Sequence, residues 1–185
     1  MHRFSATKML LEHVGDLPVV ANLGPSSDEL WHAGHRERSF YTYGSMGLCS
    51  SMALGMALST DEKVVSLDGD GSLLMNLGSL GTIARQSPAN LVHIVFDNKQ
   101  WAETGGQPTH TAAKTDLAEV ARGSGIEHVA KVATLEAFED ALDKAIAEDG
   151  PWCIVVDVEE ADHGPRPLVR VEENLLRFRR TFPNA

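Results

Sequence analysis

The residues of this chain that are best suited to chemistry follow two apolar segments. Val64–Leu67 leads into Gly69-Asp70-Gly71, and Leu91–Phe96 leads into Asp97-Asn98. If both segments are parallel strands joined by a helix, their carboxyl ends lie side by side, so Asp70 and Asn98 meet at one edge of a sheet. Mg²⁺ is commonly bound by a carboxylate, an amide oxygen and backbone carbonyls together with phosphate oxygens. Phosphate is commonly bound by glycine-rich turns and by the N-terminus of a following helix. The pattern predicts a site for magnesium and a diphosphate.

The elements that must position these residues alternate between strand and helix. Apolar runs predict strands at residues 18–23, 40–43, 64–67, 91–96, 127–132 and 152–158. Helices are predicted at residues 1–14, 25–31, 46–58, 116–122, 135–148 and 171–182, with a helix-length segment between 71 and 91 and an irregular surface segment at 162–167. This order predicts an α/β fold with one doubly wound, mostly parallel sheet flanked by helices. We expect one domain of residues 1–185, with its core at about 18–158.

Composition excludes several classes of function. The net charge of −10 argues against binding to nucleic acid or to an anionic membrane surface. The longest apolar runs are too short to span a bilayer, and the first residues lack the apolar region of a secretory signal. Cys49 and Cys153 are far apart and lack the spacing of metal ligands, so we expect reduced thiols and a cytoplasmic protein.

The Gly-Asp-Gly turn and the Asp-Asn pair, with 25 residues between Gly71 and Asp97, resemble the signature of thiamine diphosphate enzymes. The second half of that signature is normally Asn-Asn, so Asp97 departs from it while Asn98 is retained. The resemblance implies thiamine diphosphate as cofactor, with Mg²⁺ held by Asp70, Asn98 and the backbone carbonyl of Gln100. It also implies cofactor contacts from the residues of these two turns, namely Gly69, Asp70, Gly71, Ser72 and Asn98.

A second group, Gly44-Ser45-Met46-Gly47, lies upstream between a predicted strand and a predicted buried helix. By itself the pattern favours a glycine-rich turn with a methionine in the core. Thiamine diphosphate enzymes carry a Gly-x-hydrophobic-Gly turn at this place, which implies that Met46 wedges under the cofactor and holds it bent. The Gly44 carbonyl, Ser45 and the Met46 N–H would then contact the cofactor. The bend matters because it sets the amino group of one ring against the acidic C–H of the other.

The loop from Asn98 to about Lys114 begins at a predicted metal ligand, which places it over the cofactor. Glu103 is a candidate acid or base, although a carboxylate in such a loop is more often simply exposed. Four further residues either line the reaction centre or meet a neighbouring chain: Thr104, Gln107, Thr109 and His110. The predicted catalytic set is therefore Met46, Glu103, Thr104 and Gln107.

The resemblance covers only a diphosphate-binding domain, from about Pro18 to Val158. In this family a glutamate on a separate pyrimidine-binding domain activates the cofactor. The resemblance therefore implies a β subunit in a hetero-oligomer, with an α subunit that carries the pyrimidine-binding domain and the activating glutamate. Within the family, the plan is most similar to the sulfopyruvate and phosphonopyruvate decarboxylases, which implies a small 2-oxo acid substrate with a sulfonate or phosphonate at C3.

Three other interpretations remain open at this point. An acetolactate-synthase-like carboligase would use the same site with a second carbonyl compound in place of a proton. A 2-oxo acid oxidoreductase subunit would need iron–sulfur cysteines on this or a companion chain. A subunit that binds the cofactor without turnover would carry the same residues.

Overall fold

A central parallel sheet is the framework of the chain, for which a computed structural model describes residues 1–159 and 170–182. The strands are β1 (Val19–Asn22), β2 (Ser39–Thr42), β3 (Val64–Gly69), β4 (Leu91–Asp97), β5 (Gln100–Trp101), β6 (Gln107–Pro108), β7 (His128–Val132) and β8 (Trp152–Asp157). The helices are α1 (Arg3–Val14), α2 (Pro25–Gly34), α3 (Cys49–Ala57), α4 (Asp70–Leu74), α5 (Gly78–Gln86), α6 (Leu117–Gly123), α7 (Leu135–Ala147) and α8 (Val171–Arg179). The irregular segment predicted at 162–167 lies outside the described residues.

The order of the strands creates a crevice at one edge of the sheet. Six strands form one sheet in the order β2-β1-β3-β4-β8-β7, and every neighbouring pair is parallel. The chain runs outward from β1 to β2 and then returns to β3 on the other side of β1. Open α/β sheets bind ligands at the carboxyl ends of the strands beside such a reversal. The predicted fold class is confirmed, and the reversal lies next to Gly69 and Asp70.

Helices cover both faces of the sheet and bury two apolar clusters. One cluster includes Leu10, Leu30 and Phe138 from α1, α2 and α7, and the other includes residues from α3, α5 and α6. Strands β4 and β8 contribute to both clusters, because successive side chains of a strand point to opposite faces. No helix within the two described ranges is both long enough and apolar enough to cross a membrane.

Helix α8 covers the outer edge of the sheet at β2. The Asn174 side chain donates to the Tyr41 carbonyl at 2.8 Å and accepts from the Tyr41 N–H at 3.4 Å, and Arg177 donates to the Ser39 carbonyl at 2.6 Å. These contacts satisfy backbone groups that an edge strand would otherwise leave open to another chain.

The structure departs from the predicted elements at three places near the crevice. The helix predicted at 46–58 begins at Cys49, because Gly47 has a φ angle of +84° that a helix cannot accommodate. The segment between β3 and β4 is two helices, α4 and α5, rather than one. The predicted loop after Asn98 contains the β5–β6 hairpin and two short 3₁₀ helices, at Ala102–Thr104 and His110–Ala112.

Candidate active site

A cleft opens at the carboxyl edge of the sheet, beside the reversal of strand order. It is bordered by the ends of β1, β3 and β4, by the turn before α3 and by the loop after β4. Most of the residues predicted for the site border it: Met46, Gly69, Asp70, Gly71, Ser72, Asn98, Gln100, Glu103 and Thr104. Gly44, Ser45 and Gln107 do not, although Gly44 and Ser45 belong to the same turn as Met46.

Asp70 is the first residue of α4 and is only 2% exposed. Its Oδ2 accepts hydrogen bonds from the hydroxyls of Thr109 at 2.6 Å and Thr111 at 3.2 Å. Burial raises the pKa of Asp70 to about 6, and the Thr109 hydrogen bond opposes that rise. A divalent cation beside this carboxylate would favour its charged form.

Asn98 follows β4 directly, in register with the end of β3 because Gly69 pairs with Phe96. Its Oδ1 accepts a hydrogen bond from the Gln100 N–H at 3.1 Å, which makes the loop turn sharply at the cleft. Asp97, the residue that departs from the family signature, accepts from the Thr111 hydroxyl at 2.7 Å. Thr111 therefore links the loop after β4 to Asp70.

The donor set of the cleft fits the predicted metal. Within the described residues, no group of three or more His, Cys, Asp or Glu side chains could hold a metal ion. A magnesium site completed by phosphate oxygens needs fewer protein ligands than that. The Asp70 carboxylate, the Asn98 amide and the Gln100 carbonyl supply hard oxygen donors at one cleft.

Gly71 is glycine because an aromatic ring lies directly on it. A Cβ atom at Gly71 would stand 2.4 Å from Trp101 Cδ1, too close for any other residue. The Trp101 indole N–H also donates to the Gly71 carbonyl at 3.2 Å. Trp101 therefore fastens the loop after β4 onto the Gly-Asp-Gly turn, a contact that the sequence pattern did not indicate.

The turn that carries Met46 is tied to the Gly-Asp-Gly turn. The Gly47 N–H donates to Ser72 Oγ at 3.0 Å, and the Asn76 amide donates to the Gly47 carbonyl at 3.0 Å. Met46 is half-buried and borders the cleft instead of filling the core. Of the two interpretations of this methionine, its position favours the wedge, which stays a prediction.

Comparison with known proteins identifies the family of the chain. Residues 26–156 match the family described as thiamine pyrophosphate enzyme, C-terminal TPP binding domain. The chain belongs to this family. The matched range includes the Met46 turn, the Gly-Asp-Gly turn and the loop after β4, so every element of the cleft except α1 and β1 lies within it.

Several known proteins are similar to this TPP binding domain in sequence or in structure. The chain is 44% identical over 148 residues to sulfopyruvate decarboxylase subunit beta of Methanocaldococcus jannaschii, covering 80% of this chain and 78% of that one. It is 41% identical over 174 residues to phosphonopyruvate decarboxylase of Streptomyces viridochromogenes, covering 93% of this chain and 44% of that protein. The structure of Rhodococcus jostii RHA1 4-hydroxybenzoylformate decarboxylase, a thiamine diphosphate-dependent enzyme, aligns with a TM-score of 0.72 at 23% identity. That alignment covers 87% of this chain and 33% of that one, and at this identity it supports the fold alone.

The predicted catalytic residues on the loop after β4 of the TPP binding domain fall into two groups. Glu103 and Thr104 are exposed at the mouth of the cleft, and Glu103 Oε2 lies 3.0 Å from the position that a Cβ would take at Gly24. Gln107 is exposed on β6, and its side chain lies against Gly105 instead of the cleft. A direct role in the reaction is therefore better supported for Glu103 and Thr104 than for Gln107.

Other residues support the site in ways that sequence reasoning missed. Thr109 was a candidate for the reaction centre or for a chain interface, but it is 3% exposed and its hydroxyl holds Asp70. Its neighbour His110 packs edge-on against Trp101, with ring centroids 5.7 Å apart. Arg3 and Trp101 also border the cleft, although no sequence pattern marked them for the site.

We expect Met46→Ala in this TPP binding domain to slow turnover while cofactor affinity changes little. The wedge acts on the geometry of the cofactor, and misplacing reacting groups by about 1 Å can lower a rate roughly 100-fold. Measurements of kcat and of the cofactor dissociation constant, made on a complex with an α subunit, would separate the two effects. Met46→Leu is the matched control, because it keeps an apolar side chain of similar size. A fully active Met46→Ala complex would show that Met46 is only a packing residue.

Proposed function

We propose that this chain is the β subunit of a split thiamine diphosphate-dependent decarboxylase, acting on a 2-oxo acid with a sulfonate or phosphonate at C3. The observation that carries the proposal is the cleft, because it brings the Met46 turn, Asp70 and Asn98 to one place. The 44% identity to a protein named as a sulfopyruvate decarboxylase β subunit supports the substrate class and the need for an α subunit. The β subunit would bind the magnesium and diphosphate half of the cofactor.

The residues of this chain would bind and orient the cofactor. Asp70, Asn98 and the Gln100 carbonyl would hold Mg²⁺, and the hydroxyls of Thr109 and Thr111 fix the Asp70 carboxylate for that role. When bound, thiamine diphosphate supplies the electron sink for cleavage of the bond between the carboxylate and the 2-oxo carbon. Met46 would support the bent shape of the cofactor.

The loop after β4 would control what reaches the reacting atoms. Trp101 fastens this loop to Gly71, so the segment that carries Glu103 and Thr104 is held at the mouth of the cleft. A loop held there excludes water from the site and limits the orientations that a substrate can adopt. Glu103 is the carboxylate of this loop that could hold or release a proton near the substrate.

Product analysis on a reconstituted complex tests the proposed function. The chain would be co-expressed with an α subunit of a sulfopyruvate decarboxylase and supplied with thiamine diphosphate and Mg²⁺. We expect carbon dioxide and an aldehyde from sulfopyruvate or phosphonopyruvate, in equal amounts. A product that joins two substrate molecules would instead indicate a carboligase. Absence of turnover with every 2-oxo acid, in a complex that binds the cofactor, would favour a non-catalytic subunit.

A further inference from the structure

Asp97 is a buried carboxylate beside a proposed metal ligand, at the position where the family signature normally has asparagine. It is the last residue of β4, is 5% exposed and immediately precedes Asn98. Its place in the sheet is fixed, because it pairs with Asp157 of β8 and its carbonyl accepts a hydrogen bond from the Val158 N–H at 3.1 Å. A buried charge is costly unless other groups compensate for it, so an aspartate in place of asparagine needs a physical reason.

Two hydroxyl groups connect Asp97 to Asp70. The Thr109 hydroxyl donates to Asp70 Oδ2 at 2.6 Å. The Thr111 hydroxyl oxygen lies 2.7 Å from Asp97 Oδ1, 3.2 Å from Asp70 Oδ2 and 2.8 Å from the Thr109 hydroxyl oxygen. A hydroxyl carries only one proton, so Thr111 cannot donate fully to both carboxylates. The shorter contact is the stronger one, which assigns the Thr111 proton mainly to Asp97 and leaves Asp70 with the Thr109 proton.

The charge of Asp97 decides how the Thr111 proton is divided. A hydrogen bond to a carboxylate is roughly twice as strong as one to a neutral group, so an asparagine at this position would compete less well with Asp70 for the same proton. Asp70 Oδ2 would then accept two hydroxyl protons more fully, and each such bond weakens the carboxylate as a metal ligand by stabilising its charge. The nearby ammonium group of Lys99 pairs with Asp157 at 2.8 Å, so it does not take the place of Thr111 at Asp97.

We propose that Asp97 is a positioning residue for the metal site: its carboxylate holds the Thr111 hydroxyl and so keeps Asp70 available as a strong ligand for Mg²⁺. The inference rests on the proposed function, because it concerns the site that binds Mg²⁺ and the diphosphate there. Asp97 acts through Thr111 and is not itself a ligand. The departure from the family signature at Asp97 therefore strengthens cation binding, and the same site with asparagine would bind Mg²⁺ less tightly.

The experiment measures magnesium affinity directly, by calorimetric titration of Mg²⁺ into the complex with an α subunit at a fixed concentration of thiamine diphosphate. Asp97→Asn keeps the size of the side chain and an oxygen that can accept from the Lys99 N–H, which lies 3.1 Å from Asp97 Oδ1. We expect this variant to weaken Mg²⁺ binding about 10-fold, as loss of a group that supports a metal ligand does. At saturating Mg²⁺ the affinity for thiamine diphosphate should return to that of the parent. Thr111→Val should have a similar effect, and Thr111→Ser, which keeps the hydroxyl, should restore most of the parent's affinity.

A double variant tests whether Asp97 acts through Thr111. If it does, Asp97→Asn combined with Thr111→Val should bind Mg²⁺ within about twofold of the weaker-binding single variant, because the second change removes an interaction that is already lost. Losses that multiply would show that Asp97 acts on the cation by its charge alone, and the inference would be wrong. Asp157→Asn is the matched control, because it removes a carboxylate from the paired position of β8 that forms its ion pair with Lys99. Its magnesium affinity should equal that of the parent.

Melting temperatures distinguish this role from support of the fold. Without cofactor, Asp97→Asn should melt no lower than the parent, because it removes a buried charge. Unchanged magnesium affinity in Asp97→Asn, whatever its melting temperature, would make Asp97 a structural residue and overturn the inference. A loss of cofactor affinity that saturating Mg²⁺ does not restore would overturn it as well. A parent complex that binds thiamine diphosphate equally well without Mg²⁺ would instead overturn the proposed function itself.

Discussion

The purified chain alone is expected to release no carbon dioxide from sulfopyruvate or phosphonopyruvate, and addition of an α subunit should produce turnover. The proposed function implies that cofactor activation needs a carboxylate opposite the pyrimidine ring, supplied by the α subunit. Among the described residues that border the cleft, the carboxylates are Asp70 and Glu103. Asp70 is committed to Thr109, Thr111 and the proposed metal, and Glu103 belongs to the loop at the mouth of the cleft. A second copy of the chain would only duplicate the same half of the site.

The measurement is carbon dioxide release at saturating thiamine diphosphate and Mg²⁺, with the chain alone, the α subunit alone and the two mixed. General acid–base groups contribute about 10²- to 10⁴-fold to such rates, so the difference should be at least of that order. Glu103→Gln tests whether the other carboxylate at the cleft could activate the cofactor in place of an α subunit. If the lone chain turned over and Glu103→Gln abolished that activity, the activating carboxylate would reside in this chain and the two-subunit proposal would fail.

The positions of Asp70 and Asn98 could be predicted because they depend on few physical rules. Both follow strands whose continuous apolarity requires burial, and the crossover between parallel strands leaves only one relative placement of their ends. The fold class follows from the same alternation of strands and helices, which the six-stranded parallel sheet confirms.

The supporting residues could not be predicted because they depend on contacts between distant segments. Thr111 reaches Asp70 across 41 positions of sequence, through a loop whose path is set by hydrogen bonds instead of periodicity. Arg3 arrives at the cleft because of the backbone pairing between Met1 and Glu159, which local sequence does not reveal. The predicted start of α3 was three residues too early for a different reason, since an apolar run favours a helix but the positive φ angle of Gly47 prevents one there.

Asp70 illustrates how a binding residue can conflict with stability. Its buried carboxylate has a pKa of about 6 in the folded chain, above the usual range for aspartate, because burial disfavours the charged form. An acid whose pKa is raised by folding stabilises the fold at low pH, and this contribution is lost as pH rises toward 6. At neutral pH the chain without cofactor therefore carries an unfavourable buried charge, which a bound cation would offset.

We therefore expect Asp70→Asn and Asp70→Ala to abolish magnesium-dependent binding of thiamine diphosphate, with a loss of affinity of at least about 100-fold. Asn98→Ala should have nearly the same effect, because it removes the second side-chain ligand.

Without cofactor, the Asp70→Asn variant should melt at or above the melting temperature of the parent chain at about pH 7.5. This advantage should shrink below about pH 4, where Asp70 of the parent is protonated in both the folded and the unfolded chain. With cofactor and Mg²⁺ the order should reverse, because only the parent gains stability from binding. Calorimetry on the complex with an α subunit tests the predicted loss of affinity, and thermal melts of that complex test the predicted melting temperatures. Asp157→Asn is the matched control, because Asp157 forms its ion pair with Lys99 outside the cleft. Undiminished magnesium-dependent affinity in the Asp70 and Asn98 variants would show that the metal is held elsewhere.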